Sequence, residues 1–173
     1  MTEQPKTIKP EPATSRLDAK DTEVGSVFVS NYPPYSFWGK ESVPEAIKAL
    51  NSPPVPGATL GLYLHIPFCR KRCKFCYFRV YTDKNSDDIQ VYLDALAKEV
   101  ALYSEMPAVK GRQLKFVYFG GGTPSYISVK HLKALVSDLK AVMPWDGADE
   151  IAFECEPGTL TQTKLEAIKQ IGV

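Results

Sequence analysis

Apolar residues between positions 60 and 173 follow two alternating patterns, and each predicts one kind of element. Short apolar runs predict strands at Leu60–Ile66, 114–119 and 150–154. Between the strands, apolar residues recur three and four positions apart, as in helices with one buried face: Leu93, Leu96, Val100 and Tyr103, then Leu132, Leu135, Leu139 and Val142. A last helix is predicted from position 161 or 163 to 171. This alternation indicates parallel βα units and an α/β fold.

Polar residues mark where the two long helices are expected to begin. Ser86 is predicted to cap the first, because Asp87 and Asp88 then occupy its first turn, where the helix dipole favours carboxylates. Ser128 is predicted to start the second helix. His131 follows in the lysine-rich first turns of that helix and is expected to be exposed.

The first 58 residues differ in composition from the rest. Residues 1–23 are rich in Lys, Glu, Pro and Thr, with almost no large apolar side chains, and are predicted to form a disordered tail. Residues 24–58 form an aromatic and proline-rich lead-in with a short helix after Ser42. Its rings are expected to pack outside the domain, with substrate contact as the alternative. Residues 59–173 are predicted to form the core domain.

Composition and charge narrow the class of protein. The chain has 173 residues, of which 44% are hydrophobic, enough for one packed core. Its formal net charge of +1 gives no overall signal for nucleic acid or an anionic membrane. No apolar run is long enough to span a bilayer, and the polar N-terminus lacks the apolar core of a secretion signal. Four cysteines, three of them clustered, indicate a cytoplasmic protein that uses thiols for metal.

Cys69, Cys73 and Cys76 form the strongest motif, C-x3-C-x2-C, directly after the first predicted strand. Three thiolates can hold an iron–sulfur cluster and leave one iron open, whereas a structural zinc site normally closes with a fourth Cys or His. Cys155 is distant in sequence and is expected to be a small buried residue. Basic residues within 70–74 favour ionised thiols. A zinc-binding module is the alternative interpretation.

Two more unusual stretches follow the second and third predicted strands. Three glycines at 120–122 leave the backbone open to close approach by a ligand. Glu154 ends an apolar strand, where a carboxylate is suited to accept hydrogen bonds from a ligand ammonium, while Glu156 is expected to be structural or exposed. Because parallel βα sheets bind ligands at the carboxyl ends of their strands, all three stretches are predicted to form one site.

The cysteine motif, with Phe75 before its last cysteine, resembles that of the radical S-adenosylmethionine (SAM) superfamily. The sequences YLHIPFC at 63–69 and GGGTPS at 120–125 are similar to one branch, which contains oxygen-independent coproporphyrinogen III dehydrogenase (oxidase), related heme chaperones and a group of radical SAM methyltransferases. The resemblance implies the N-terminal part of an open, TIM-like (β/α)6 barrel, with about three βα units after an extended N-terminal segment. The core at 59–173 is then expected to be incomplete at its C-terminus.

The resemblance also implies the cofactors and the residues that bind them. The three cysteines would hold a 4Fe-4S cluster, and SAM would chelate its open iron. By this resemblance, the residues that would contact SAM are Tyr63, Phe75, Gly121, Gly122, Thr123 and Glu154. From the sequence pattern alone, however, a strand tyrosine such as Tyr63 is usually a core residue. Reductive cleavage of SAM would give methionine and a 5′-deoxyadenosyl radical, with the electron coming from a donor such as flavodoxin or ferredoxin.

The sequence leaves open which of the functions found in this branch follows SAM cleavage. A coproporphyrinogen III oxidase would decarboxylate a propionate side chain of a tetrapyrrole in porphyrin biosynthesis. Because the resemblance implies an incomplete barrel, this chain alone is expected to be inactive. That enzyme has a further cysteine two residues after the third, where this chain has Phe78. Phenylalanine there is more like the heme chaperones and methyltransferases, although those commonly carry Asp where this chain has Tyr77. No nucleic-acid partner and no membrane span are expected.

Overall fold

The computed structural model describes residues 39–76 and 78–173. The predicted tail at 1–23 and most of the lead-in lie outside the described residues, so those expectations stay predictions. After a 3-10 turn at Lys40–Ser42, the described elements are α1 (Val43–Leu50), β1 (Leu60–Ile66), α2 (Ser86–Ser104), β2 (Leu114–Gly121), α3 (Val129–Val142), β3 (Glu150–Phe153) and α4 (Gln162–Gln170). No helix within the described ranges is both long and apolar enough to cross a membrane.

The three strands form one parallel sheet in the order β1-β2-β3. Leu64 pairs with Phe119, and Phe119 pairs in turn with Phe153, so the carboxyl ends of the strands lie at the same edge. The predicted α/β fold with parallel βα units is therefore confirmed. The second strand runs two residues further than predicted, because Gly120 and Gly121 still pair with β1.

One face of the sheet packs against the helices and forms the hydrophobic core. Alternate strand residues point to this face, and four of them have no more than a trace of exposed surface: Leu64, Ile66, Val117 and Phe119. Trp145, just after α3, is also buried, and its indole N–H donates to the Ile171 carbonyl at 3.2 Å. This core fixes the positions from which the strand-end loops depart.

The opposite face of the sheet carries aromatic and polar side chains. Tyr63 on β1 is 54% exposed, and its ring stacks on that of Tyr118 on β2 with centroids 5.8 Å apart. The Tyr63 hydroxyl lies 3.0 Å from Nδ1 of His65. The alternative interpretation of Tyr63 as a core residue is therefore wrong, because odd-numbered positions of β1 point away from the helices. Its predicted contact with SAM stays a prediction.

The helix starts are set by side-chain caps, and one differs from the prediction. Asn85, not Ser86, caps α2: its side-chain oxygen accepts hydrogen bonds from the backbone N–H groups of Asp87 and Asp88, both at 2.9 Å. Asn85 has an extended backbone, whereas Ser86 is already helical. Ser128 caps α3 as predicted, by accepting from the His131 N–H at 3.1 Å. Thr161 caps α4 in the same way.

His131 is buried, with only 7% of its surface exposed, so the expectation that it is exposed is wrong. It lies four residues before Leu135 and eight before Leu139, on the buried stripe of α3. Its Nε2 is 3.5 Å from the Ser86 hydroxyl at the start of α2. The lysines that suggested exposure occupy the other faces of the same turns.

The buried helix faces are shorter than predicted. Leu93, Val100 and the predicted α3 leucines are buried, but Tyr103 and Val142, at the helix ends, are about 40% exposed. The short helix after Ser42 is present as α1, yet it contains no buried residue. The helices therefore contribute to the core mainly through their central turns.

Candidate functional site

The loops that follow the three strands enclose a cleft of about 410 Å³ at the carboxyl edge of the sheet. Its lining includes Cys69, Cys73, Phe75 and Cys76 from the first loop, Gly121, Gly122 and Thr123 from the second, and Glu154, Cys155 and Glu156 from the third. The structure therefore brings together the three stretches that the sequence places at strand ends. Tyr63 is not among the described residues that line the cleft.

The cysteine loop is tied to the end of β1 by a short parallel bridge between Phe68 and Tyr81. The Tyr81 N–H donates to the Pro67 carbonyl at 2.9 Å, and the Cys69 N–H donates to the Tyr81 carbonyl at 3.0 Å. Within the loop, the Cys76 N–H donates to the Cys73 carbonyl at 3.1 Å. These bonds fix both ends of the loop and hold the last two cysteines in one turn.

The three thiols differ in their surroundings. Cys69 is buried, Cys76 is half-buried and Cys73 is exposed, and all three are free. The Thr123 hydroxyl donates to Sγ of Cys69 at 3.3 Å. Burial raises the pKa of the Cys69 thiol, and the hydrogen bond from Thr123 opposes part of that rise. Thr123 therefore gives the second loop a direct contact with the first cysteine.

The glycine loop lies so close to the cysteine loop that side chains do not fit in it. Gly121 has φ of +112°, a conformation that favours glycine, and a Cβ there would lie 2.7 Å from the His65 ring. A Cβ on Gly122 would lie 2.9 Å from the Ile66 carbonyl oxygen and 3.0 Å from Sγ of Cys69. The backbone of this loop consequently forms part of the cleft wall beside the thiols.

Glu154 is held by two donors from β2. Its Oε1 accepts from the Tyr118 hydroxyl at 2.6 Å, and its Oε2 accepts from the Gly121 N–H at 3.1 Å. The hydrogen bond to Glu154 raises the pKa of the Tyr118 phenol. Both bonds orient the carboxylate in the cleft, where its remaining lone pairs stay available to a ligand cation. Tyr118 is not recognisable as a site residue from the sequence, since only the register of β2 and β3 places it beside Glu154.

The third loop is fastened to the second by a buried serine. Ser125 is 1% exposed; its hydroxyl accepts from the Glu156 N–H at 3.0 Å and lies 2.6 Å from the Thr159 hydroxyl. Glu156, predicted to be structural or exposed, is half-buried, and its carboxylate accepts from the Gly158 N–H at 3.0 Å. The serine thus holds the part of the third loop that forms the far wall of the cleft.

Cys155 is exposed and lines the cleft, so the expectation that it is buried is wrong. Strand β3 ends at Phe153, which leaves Cys155 in a loop rather than in the core. Its Sγ lies 3.7 Å from the Phe153 carbonyl oxygen. Partial burial raises the pKa of the Cys155 thiol, and the Lys164 ammonium opposes that rise.

Replacing Ser125 with alanine is expected to lower the free energy of unfolding by about 1–2 kcal/mol, because the N–H of Glu156 loses the buried hydroxyl that accepts its hydrogen bond. Denaturant unfolding of Ser125→Ala and of the wild type measures this difference. The matched control is Ser137→Ala, which changes an exposed serine of α3. Equal unfolding free energies for the two variants would show that Ser125 does not fasten the third loop.

The chemistry of the donor set fits an iron–sulfur cluster. Such a cluster is held by cysteine thiolates, each on a separate iron. Cys69, Cys73 and Cys76 are free thiols on one cleft, and they would be the ligands of such a cluster.

Fold and site together define a class: parallel βα proteins in which a three-cysteine loop faces a glycine loop at the strand ends. This chain belongs to the radical SAM superfamily, whose family model matches residues 63–173.

Curated relatives carry two kinds of name. An oxygen-independent coproporphyrinogen III oxidase of Synechocystis is 30% identical over 144 residues, 83% of this chain and 31% of the relative. Another, of Bradyrhizobium diazoefficiens, is 35% identical over 68% of this chain and 26% of the relative. The heme chaperone HemW of Escherichia coli is 32% identical over 66% of this chain and 30% of the relative. The chain therefore spans about a third or less of the length of these relatives.

A solved structure has the same fold. The coproporphyrinogen III oxidase HemN of Escherichia coli, described as a radical SAM enzyme, matches with a TM-score of 0.69 and 27% identity, over 84% of this chain and 33% of that chain. The three parallel βα units are accordingly part of a TIM-like radical SAM barrel. The resemblance to the branch of coproporphyrinogen III oxidases and heme chaperones is also confirmed.

Proposed function

We propose that the full-length protein binds a 4Fe-4S cluster through Cys69, Cys73 and Cys76 and binds SAM in the same cleft. The main support for this proposal is that three thiols, a glycine loop and an oriented carboxylate line the same cleft in a member of the radical SAM superfamily. A bound cluster, reduced by an external donor such as flavodoxin or ferredoxin, would supply the electron for reductive cleavage of SAM to methionine and a 5′-deoxyadenosyl radical.

The second and third loops are proposed to bind SAM. The backbone of Gly121 and Gly122 allows close approach, and Thr123 follows them on the cleft wall. The carboxylate of Glu154, already oriented by two hydrogen bonds, accepts from the SAM ammonium. These residues hold the ligand and limit its contact with water; they need no acid–base role in the cleavage.

Two aromatic residues have supporting roles in the proposal. Phe75 lines the cleft with 76% of its surface exposed, so its ring is available to stack on the adenine. Tyr63 helps to position Glu154 indirectly, because its ring stacks on that of Tyr118, whose hydroxyl donates to the Glu154 carboxylate.

The reaction that we propose is that of a coproporphyrinogen III oxidase. Hydrogen abstraction from a propionate side chain, followed by loss of carbon dioxide, would leave a vinyl group on a tetrapyrrole in porphyrin biosynthesis. Support comes from relatives that carry this name at about 30% identity and from the fold shared with HemN. A heme chaperone is the second candidate, because HemW relatives match at similar identity and Phe78 stands where the oxidase has a further cysteine.

Metal and sulfide analysis after anaerobic reconstitution tests the shared part of the proposal. We expect iron and acid-labile sulfide in equal amounts, and 5′-deoxyadenosine with methionine after addition of SAM and dithionite. Zinc without sulfide would overturn the proposal. Incubation of the full-length protein with coproporphyrinogen III and SAM then separates the candidates: carbon dioxide release supports the oxidase, whereas tight heme binding with no carbon dioxide supports the chaperone.

Replacing Tyr118 with phenylalanine is expected to weaken SAM binding about fivefold, because it removes one of the two donors that orient Glu154. The hydrogen bond raises the pKa of the phenol, so its effect is present at neutral pH and is lost as the pH rises through that raised pKa. Calorimetric titration of the cluster-loaded protein with SAM measures the change. Tyr103→Phe, on the exposed end of α2, is the control and should leave the affinity unchanged.

A further inference from the structure

We propose that Tyr118 and Tyr63 form a radical relay, which removes a 5′-deoxyadenosyl radical that forms when no substrate is in place. Tyr118 gives its hydroxyl hydrogen to that radical, and Tyr63 then returns an electron to Tyr118. The unpaired electron thereby leaves the cleft and reaches the exposed face of the sheet. This inference rests on the proposed function, because the radical comes from the proposed cleavage of SAM.

The inner end of the relay lies beside the cleft. The Tyr118 hydroxyl donates to Oε1 of Glu154 at 2.6 Å, and Glu154 lines the cleft. This hydrogen bond raises the pKa of the Tyr118 phenol, so the phenol keeps its proton at neutral pH. Because a phenol O–H bond is weaker than the C–H bond that a primary alkyl radical forms, transfer of this hydrogen to the radical is favourable.

The rings of Tyr118 and Tyr63 are in direct contact. Their centroids are 5.8 Å apart and their planes differ by 27°. Both rings also pack against the backbone of Gly120, where an added Cβ would collide with the Tyr118 ring and lie 3.1 Å from the Tyr63 ring. The stacked rings are thus held together, and an electron passes between them without an intervening group.

The outer end of the relay combines a proton acceptor with access from solvent. The Tyr63 hydroxyl lies 3.0 Å from Nδ1 of His65, which accepts its hydrogen bond in the tautomer protonated at Nε2. Burial lowers the pKa of His65, although the Glu154 carboxylate opposes part of this effect, so the imidazole is neutral at pH 7 and can take a proton. Tyr63 is 54% exposed, so a reductant in solution can reach it.

A basic partner on each hydroxyl distinguishes these two tyrosines from Tyr92. A phenol beside a carboxylate or an imidazole is more easily oxidised, because its proton can leave together with the electron. The Tyr92 hydroxyl instead donates to the His65 backbone carbonyl at 2.7 Å, and a carbonyl oxygen is too weakly basic to take that proton. Tyr92 is therefore not part of the relay.

Atoms and electrons balance in three steps. The O–H bond of Tyr118 breaks as a C–H bond of 5′-deoxyadenosine forms, which leaves a phenoxyl radical on Tyr118. Tyr63 then loses an electron to that radical and its proton to His65, while the Tyr118 oxygen takes a proton from water. Finally, an external one-electron donor of the kind that reduces the cluster reduces the Tyr63 radical, which regains its proton from His65.

A single turnover in heavy water tests the first step. The cluster-loaded full-length protein is reduced, freed of excess dithionite and mixed with saturating SAM, without any further substrate. Phenol hydrogens exchange with heavy water and carbon-bound hydrogens do not, so most of the 5′-deoxyadenosine should carry one deuterium by mass spectrometry. Tyr118→Phe should lower the deuterated fraction at least about threefold, because no O–H remains at this position. Tyr103→Phe, on the exposed end of α2, is the matched control and should leave the fraction unchanged.

Freeze-quench electron paramagnetic resonance detects the radical itself, independently of the product. We expect an organic radical signal that narrows when the tyrosines of the protein are ring-deuterated. The double variant Tyr63→Phe/Tyr118→Phe should lose this signal. Tyr63→Phe alone should keep the deuterium in 5′-deoxyadenosine, since that hydrogen comes from Tyr118, but should slow the decay of the radical, because the path to the exposed face is interrupted.

The relay is wrong if wild-type 5′-deoxyadenosine contains no deuterium, if Tyr118→Phe keeps the full deuterated fraction, or if the tyrosine signal persists in the double variant. Loss of deuterium in Cys155→Ser alone would make the cleft thiol the hydrogen donor and would also overturn the relay. In all of these cases 5′-deoxyadenosine still forms, so the proposed function stands. A wild-type protein that forms no 5′-deoxyadenosine would overturn both the proposed function and the relay.

Discussion

Replacing any one of Cys69, Cys73 and Cys76 with serine is expected to reduce bound iron after reconstitution from about four atoms per chain to less than about one. Each thiol would ligate a different iron, and two remaining thiols do not retain a cluster. SAM cleavage should fall below detection in all three variants. Iron and sulfide per chain, with the visible absorption of the reconstituted protein, measure the effect.

Cys155→Ser is the matched control for this series, because Cys155 is a free thiol on the opposite wall of the same cleft. The control should retain iron, sulfide and SAM cleavage. Loss of iron comparable to that of the other three variants would mean that four thiols close the site. That result would contradict the open iron on which the proposed SAM binding depends.

Gly121→Ala is expected to weaken SAM binding at least about thirtyfold and to lower the free energy of unfolding by about 1–3 kcal/mol. The residue has φ of +112°, and the added Cβ would lie 2.7 Å from the His65 ring. Relief of that contact requires movement of the ring or of the loop whose N–H orients Glu154. Calorimetric titration with SAM and denaturant unfolding measure the two effects separately.

Gly111→Ala is the control for Gly121→Ala, because it introduces the same kind of backbone strain away from the proposed SAM site. Gly111 has φ of +72°, but no atom lies within 4 Å of the position that its Cβ would take. This variant should lose stability for the same backbone reason and keep its affinity for SAM. If Gly121→Ala bound SAM as tightly as Gly111→Ala, the glycine loop would not be part of the SAM site.

The strands were predictable from the local apolar pattern. The shared location of the site residues was predictable from the general rule that parallel βα units bind ligands at the carboxyl ends of their strands. The first strand begins and ends where the apolar run does, at Leu60 and Ile66. Parallel βα units place their strand-end loops at one edge, whatever the details of packing. That rule alone predicts a shared location for Cys69, Gly121 and Glu154.

Features that depend on register or on competing caps were not predictable. Tyr118 reaches Glu154 only because β2 and β3 pair Tyr118 with Ala152, two residues before the glutamate. Asn85 and Ser86 are both good caps, and the backbone conformation alone decides between them.

The burial of His131, by contrast, was predictable in principle, since its spacing from Leu135 and Leu139 places it on the buried stripe of α3.

Electron–nuclear double resonance on the reduced, reconstituted protein with SAM labelled with ¹⁵N at its amino group tests the central claim most directly. If the three cysteines leave one iron open and the cleft delivers SAM to it, the labelled nitrogen should couple strongly to the cluster, and the coupling should weaken in Gly121→Ala. A cluster signal with no nitrogen coupling at saturating SAM would contradict the shared site.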